Sequence, residues 1–94
     1  MGYDILKCNY KLPVKGANHI EYQFKEFDGQ LNYYEITETG RLICTKYYGE
    51  IREEYLDETG EIDFIGWSQE TDFLKFIATF KNGKITKPIE RLET

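Results

Sequence analysis

Apolar and polar positions alternate along much of this chain, and short turn-forming segments interrupt the alternation. Between residues 73 and 80, Leu74, Phe76, Ala78 and Phe80 fall on one face while Lys75 and Thr79 fall on the other. Ile62 and Phe64 oppose Asp63 in the same way, and Tyr22 and Phe24 oppose Glu21, Gln23 and Lys25. A period of two is the signature of a strand with one buried face. On this basis strands are predicted at residues 3–8, 20–25, 33–37, 41–48, 51–56, 61–67, 73–80 and 84–91. Pro88 falls inside the last of these, which places that strand at an edge or bulges it there, because proline cannot donate to a ladder.

The turns are as legible as the strands. Lys81-Asn82-Gly83-Lys84 sets Asn-Gly between two apolar runs, and both central residues tolerate positive φ, so a tight hairpin is predicted. Thr37-Glu38-Thr39-Gly40 and Asp57-Glu58-Thr59-Gly60 look alike, each with glycine where a three-residue hairpin loop needs a left-handed residue. Their likeness is read as two turns that chose the same chemistry, with a duplicated hairpin as the alternative. Phe27-Asp28-Gly29-Gln30 is a fourth reversal, and residues 11–16, with Pro13 and Gly16, form a loop. The expected fold is therefore mainly β: a small antiparallel meander sheet, curled or barrel-like, with at most one short helix. Two-turn helices at 28–34 or 68–76, capped by Asp28 or Ser68, are the alternative for those segments.

Composition strengthens this picture. Eight Tyr, six Phe and one Trp accompany abundant Ile and Leu, while Ala and Val are scarce, a mixture that suits strands better than helices. Ninety-four residues suffice for one core, so residues 1–94 are expected to form a single domain. No segment reads as a membrane span or signal-peptide core, and Leu6 occupies the position where a myristoylation site needs Ser or Thr. A cytoplasmic setting is expected, with Cys8 and Cys44 as reduced thiols buried in strands.

Charge changes the picture most. The net charge of −5 is unevenly spread: residues 1–49 are balanced, whereas residues 50–72 carry nine acidic side chains against Arg52 alone. The acidic set comprises Glu50, Glu53, Glu54, Asp57, Glu58, Glu61, Asp63, Glu70 and Asp72. Such density repels phosphate and disfavours direct nucleic-acid binding; its complement is a basic surface on another protein. A solvated hairpin that keeps the domain soluble and blunts a strand edge is the competing reading. Tyr33-Tyr34 and Tyr47-Tyr48 should each send one ring to either face of a strand, leaving exposed rings suited to an interface or to cross-strand packing. The candidate partner-binding residues are those nine carboxylates together with Tyr47 and Tyr48.

Catalytic and cofactor chemistry finds little footing. Residues 57–63 suggest a calcium loop, but glycine comes fourth where an EF-hand requires it sixth. Two cysteines and one histidine without CxxC spacing do not make a structural zinc site. A cysteine nucleophile would have only His19 as its base. Carboxylate pairs are too numerous to single out a glycosidase pair, and the glycines are scattered over turns rather than gathered in a phosphate loop. No enzyme activity, metal or cofactor is expected.

Residues 21–28 (EYQFKEFD) followed by 31–42 (LNYYEITETGRL) resemble a group of short phage and prophage proteins with a pattern close to FQTKDLD…L…YEITEDGRL. Met1-Gly2, the strand ending in Cys8, and Leu12-Pro13 fit the opening of that group; residues 62–64 (IDF) and 80–85 (FKNGKI) fit its close. Phe24 departs from it, standing where the group has Thr. The resemblance implies a phage setting, in which small acidic proteins act as accessory inhibitors of host machinery, anti-CRISPR proteins among them. The implied partner is a host protein with a basic, nucleic-acid-handling surface. The alternative is a virion or assembly accessory protein that self-associates as a homodimer through the edge strand at 84–91.

Overall fold

The computed structural model describes residues 2–67 and 72–92. Its strands are β1 (Tyr3–Cys8), β2 (Glu21–Phe24), β3 (Gln30–Ile36), β4 (Leu42–Tyr47), β5 (Glu50–Tyr55), β6 (Gly60–Gly66), β7 (Leu74–Lys81), β8 (Lys84–Ile85) and β9 (Glu90–Arg91). One 3-10 turn, Ala17–His19, lies between β1 and β2. The strands join in one sheet of order β5-β4-β3-β1-β2-β6-β7-β8, with β9 also paired to β7. The sheet curls into an open half-barrel with its apolar face inward. The mainly β, largely antiparallel, curled expectation is met.

The inward face is the one that alternation marked. Leu74, Phe76, Ala78, Phe80, Ile62, Phe64, Tyr22 and Phe24 are all buried, joined by Leu6, Cys8, Tyr34, Ile36, Leu42 and Cys44. Rings interlock at both ends of the core. Tyr22 meets Phe64 edge-on at 5.0 Å between centroids, and Phe24 meets Tyr34 at 5.3 Å. Such pairs contribute about 0.5–1.5 kcal/mol each beyond the area they bury. The loop after β1 plugs the barrel with Leu12, Ala17 and Ile20, and the Tyr22 hydroxyl donates to the Ala17 carbonyl at 2.7 Å.

Two connections differ from a simple meander. β3 runs parallel to β1 and lies on its far side from β2, so the 27–30 reversal carries the chain across the end of β1 instead of closing a hairpin. The cause is Asp4, fully buried near the start of β1. Its carboxylate accepts the N–H groups of Gly29 (2.9 Å), Gln30 (3.2 Å) and Asn32 (2.9 Å), and so holds the head of β3 beside β1. Residues 30–34 are strand, which removes the helical alternative at 28–34. Of the other helical segment, residues 68–71 lie outside the described residues, and residues from Leu74 are strand.

The second departure concerns the two look-alike turns. Thr37–Gly40 closes the β3–β4 hairpin as expected, with Gly40 at φ 86° and its N–H on the Thr37 carbonyl at 2.9 Å. Asp57–Gly60 closes none, because β5 and β6 are not paired. Its polar groups are instead taken by the Asn82-Gly83 turn: Gly83 N–H donates to the Glu58 carbonyl at 2.7 Å, and Asn82 N–H to Thr59 Oγ1 at 2.9 Å. That turn has the expected left-handed pair, φ 51° and 80°. It also accepts from Leu42 N–H at 2.9 Å, and Lys84 bridges to Arg41, so β8 seals one end of the half-barrel against the start of β4. Pro88 splits the 84–91 segment into β8 and β9, in keeping with its exclusion from ladders.

Candidate functional site

The segment with the highest charge density becomes β5, the edge strand, in which every residue is exposed. Its side chains divide between the two faces of the sheet. Glu54 pairs across from buried Cys44, so it points to the concave side. Arg52 joins it there, bonded to Glu54 at 3.3 Å and to Glu50 at 3.9 Å, with its guanidinium carbon 4.9 Å over the Tyr47 ring. On the convex side, Tyr55 lies under Arg41 and Ile51 pairs with Lys46.

On the concave side β3, β4 and β5 enclose a cavity of about 560 Å³. Its floor is Phe27, Tyr34, Cys44 and Leu56, and its rim holds Asp28, Glu54, Asp57 and Glu58 together with Tyr47 and Arg52. Phe27 and Tyr34 pack with centroids 4.9 Å apart, so the floor is largely aromatic. The Tyr47 hydroxyl donates to Asp28 at 2.6 Å, and that carboxylate pushes the phenol up to about 12. Burial is the main force raising the Tyr34 phenol, so both rings stay neutral at physiological pH.

The buried polar residues that shape the fold also position this mouth. Asp4 grips the backbone of Gly29, next to Asp28, and that of Asn32. Asn32 is itself buried, and its Oδ1 accepts Tyr48 N–H at 2.7 Å, steadying the β4–β5 turn beside Tyr47. Tyr48 occupies a two-residue turn at φ 49° with Gly49 at φ 84°. The opposite-face expectation therefore holds for Tyr33 and Tyr34 but not for this pair. Tyr48 leaves the strand, and its ring meets Tyr47 edge-on at 4.5 Å.

The eleven predicted partner-binding residues do not share one surface. Tyr47, Glu54, Asp57 and Glu58 converge on the mouth, with Glu50 and Tyr48 at its β4–β5 end. Glu53 and Glu61 are exposed residues that alternate with concave-facing neighbours and so lie on the convex side. Asp63 also faces outward, paired with Lys75 at 3.6 Å. Asp72 is exposed beyond the β6–β7 end, and Glu70 lies outside the described residues. Sequence reasoning missed Asp28, Phe27, Tyr34 and Arg52, which belong to the mouth. It also missed Glu26, whose carboxyl is held above its ordinary value by burial, then by Asp63 and Glu58. No local signal groups Phe27, Asp28 and Tyr34 with the acidic stretch; the β1–β3 crossing and the β3–β4–β5 pairing bring them beside Arg52.

Burial holds both thiols in the protonated form. Cys8 and Cys44 are free and buried, burial pushes Cys8 up to about 11 and raises Cys44, and His19 is exposed on the 3-10 turn. Among the described residues no three His, Cys, Asp or Glu side chains gather as a metal ion would require. Likewise, no helix there is long and apolar enough to cross a membrane. Comparison of the chain with protein-family models, with curated proteins and with solved structures found no match in any of the three.

Proposed function

We propose that this is a phage-encoded binding protein that disables a host factor by occupying a basic, nucleic-acid-handling surface, an anti-CRISPR or similar anti-defence role. The observation that carries the reading is the mouth: four carboxylates rim a floor of rings and aliphatic groups, and among the described residues that line it Arg52 is the one cation. A lysine or arginine side chain entering it lays its stem on Phe27 and Leu56 and brings its charge among Asp28, Glu54, Asp57 and Glu58. Each opposite-charge approach near 4 Å is worth about 4 kcal/mol before desolvation at the effective dielectric of a protein surface. Contact with a ring face adds about 0.5–2 kcal/mol. A phosphate meets repulsion at the same place, so the mouth discriminates in favour of the protein that grips nucleic acid over the nucleic acid itself.

The test is retention of host proteins from lysate on the immobilised chain at low and moderate salt. A basic partner held at low salt and released at moderate salt is expected. The triple variant Glu54→Lys, Asp57→Lys, Glu58→Lys should lose it while keeping the wild-type circular dichroism spectrum. Glu61→Lys, on the convex face, should keep it. Equal retention by the triple variant would sink the proposal. The alternative, an assembly protein that self-associates through a strand edge, draws its support from the open side of β5.

A further inference from the structure

Among the described residues, β5 is the longest strand with an open edge; β8 is sealed against the start of β4, and β9, two residues long, is paired on one side only. In the 84–91 segment, where a homodimer edge was expected, β8 is taken up by β7 and by the seal with β4, and the short β9 pairs with β7. β5 pairs with β4 on one side and with no described strand on the other, and every one of its residues is exposed. Ile51 is 89% exposed and Tyr55 62%, both on the convex side, which is costly apolar exposure for an edge strand.

We propose that two copies of this chain pair antiparallel through β5, with the twofold axis at Glu53. Strand length and side chains together select this register: an axis at Ile51 would pair only residues 50–52 before the Tyr48-Gly49 turn leaves the strand, and one at Tyr55 would set Glu53 against Asp57 of the second copy. Antiparallel partners must share a face, so the axis has to pass through a residue. With the axis at Arg52, that guanidinium faces itself and Glu50 faces Glu54 of the second copy. At Glu54, like charges again meet on the axis. At Glu53, Arg52 lies opposite Glu54 of the second copy on the concave side, and Ile51 lies opposite Tyr55 of the second copy on the convex side. Symmetry makes each of these pairs twice. Glu53 against its own copy is the one like-charge contact in this strand pairing.

The dimer extends the sheet across the axis and sets two acidic mouths side by side. It rests on the edge of β5 and not on the partner reading of the mouth. A pairing of this size falls at the small end of specific interfaces, so a weak, dilution-reversible dimer is expected.

Sedimentation equilibrium of the full chain from about 1 µM to about 1 mM measures it directly. Arg52→Glu turns two attractive cross-strand pairs into two repulsive ones and should weaken the dimer about thirtyfold or more. Glu54→Arg should do the same, and the double swap Arg52→Glu with Glu54→Arg should return to within about threefold of wild type. Both substituted positions are exposed, and circular dichroism verifies the fold. A wild-type monomer throughout the range, a dimer indifferent to Arg52→Glu, or a double swap that stays monomeric would each overturn the proposal. A monomer that still retains a basic host protein defeats the dimer alone. A dimer that retains none defeats the binding role alone.

Discussion

Removing the Asp4 carboxylate tests how the first half of the sheet is held. Asp4 is fully buried and accepts three backbone N–H groups, two of them on the buried residues Gly29 and Asn32. Asp4→Ala leaves those two donors without an acceptor where water has little access, at about 1–3 kcal/mol each; Gln30 is exposed and can turn to solvent. The expected loss is about 2–6 kcal/mol, set against a total of about 5–14 kcal/mol for a domain of this length. With an unfolding entropy of about 0.2 kcal/mol/K, this lowers the melting temperature by about 10–30 °C. Asp4→Asn keeps one accepting oxygen, so about half that loss is expected. Urea unfolding followed by circular dichroism gives both numbers, provided the m-value stays constant. A loss below about 1 kcal/mol for Asp4→Ala would show that the β1–β3 crossing has another anchor.

Further expectations follow from the turns and the ionisable groups. Gly83 and Gly49 both sit at positive φ, 80° and 84°, yet a Cβ at Gly83 would collide with the Leu56 carbonyl while one at Gly49 meets open space. Gly49→Ala should therefore cost about 1 kcal/mol, the backbone term alone, and Gly83→Ala several times more by thermal unfolding; equal losses would contradict the seal. Cys8, fully buried and away from the mouth, should not react with a disulfide reagent at pH 8 in the native state and should react in urea; rapid native labelling of Cys8 would disprove its burial. Glu26 has its carboxyl raised in the folded state, so its charge costs stability at neutral pH. That cost is relieved as pH falls through the raised value towards the ordinary carboxylate range. Glu26→Gln should raise the melting temperature at pH 7 and show no difference near about pH 4; a lower melting temperature at pH 7 would count against the raised Glu26 carboxyl.

Alternation of residue types is enough to mark the inward face of β2, β6 and β7, because period-two burial is a local property of an extended chain. The Asn82-Gly83 turn is legible for the same kind of reason, since its φ values belong to those residue types. Tyr48-Gly49 is less so; Gly49 alone hints that Tyr48 leaves its strand. The acidic stretch is plain as a count, but a count has no faces. Glu53 and Glu54 are neighbours in the chain and lie on opposite sides of the sheet.

The chain by itself thus determined the β class, most strand positions, the hairpin turns at 37–40 and 82–83, and the concentration of charge after residue 49. Each depends on side-chain type and on neighbours a few residues away. Tertiary structure alone decided that β3 would cross β1 under the hold of Asp4, and that Asp57–Gly60 would brace another turn instead of forming its own. It also decided that Asp28, Tyr34, Tyr47 and Glu54 would meet around one cavity. These outcomes depend on which buried N–H groups find which distant acceptors, a choice made only when the sheet closes on itself.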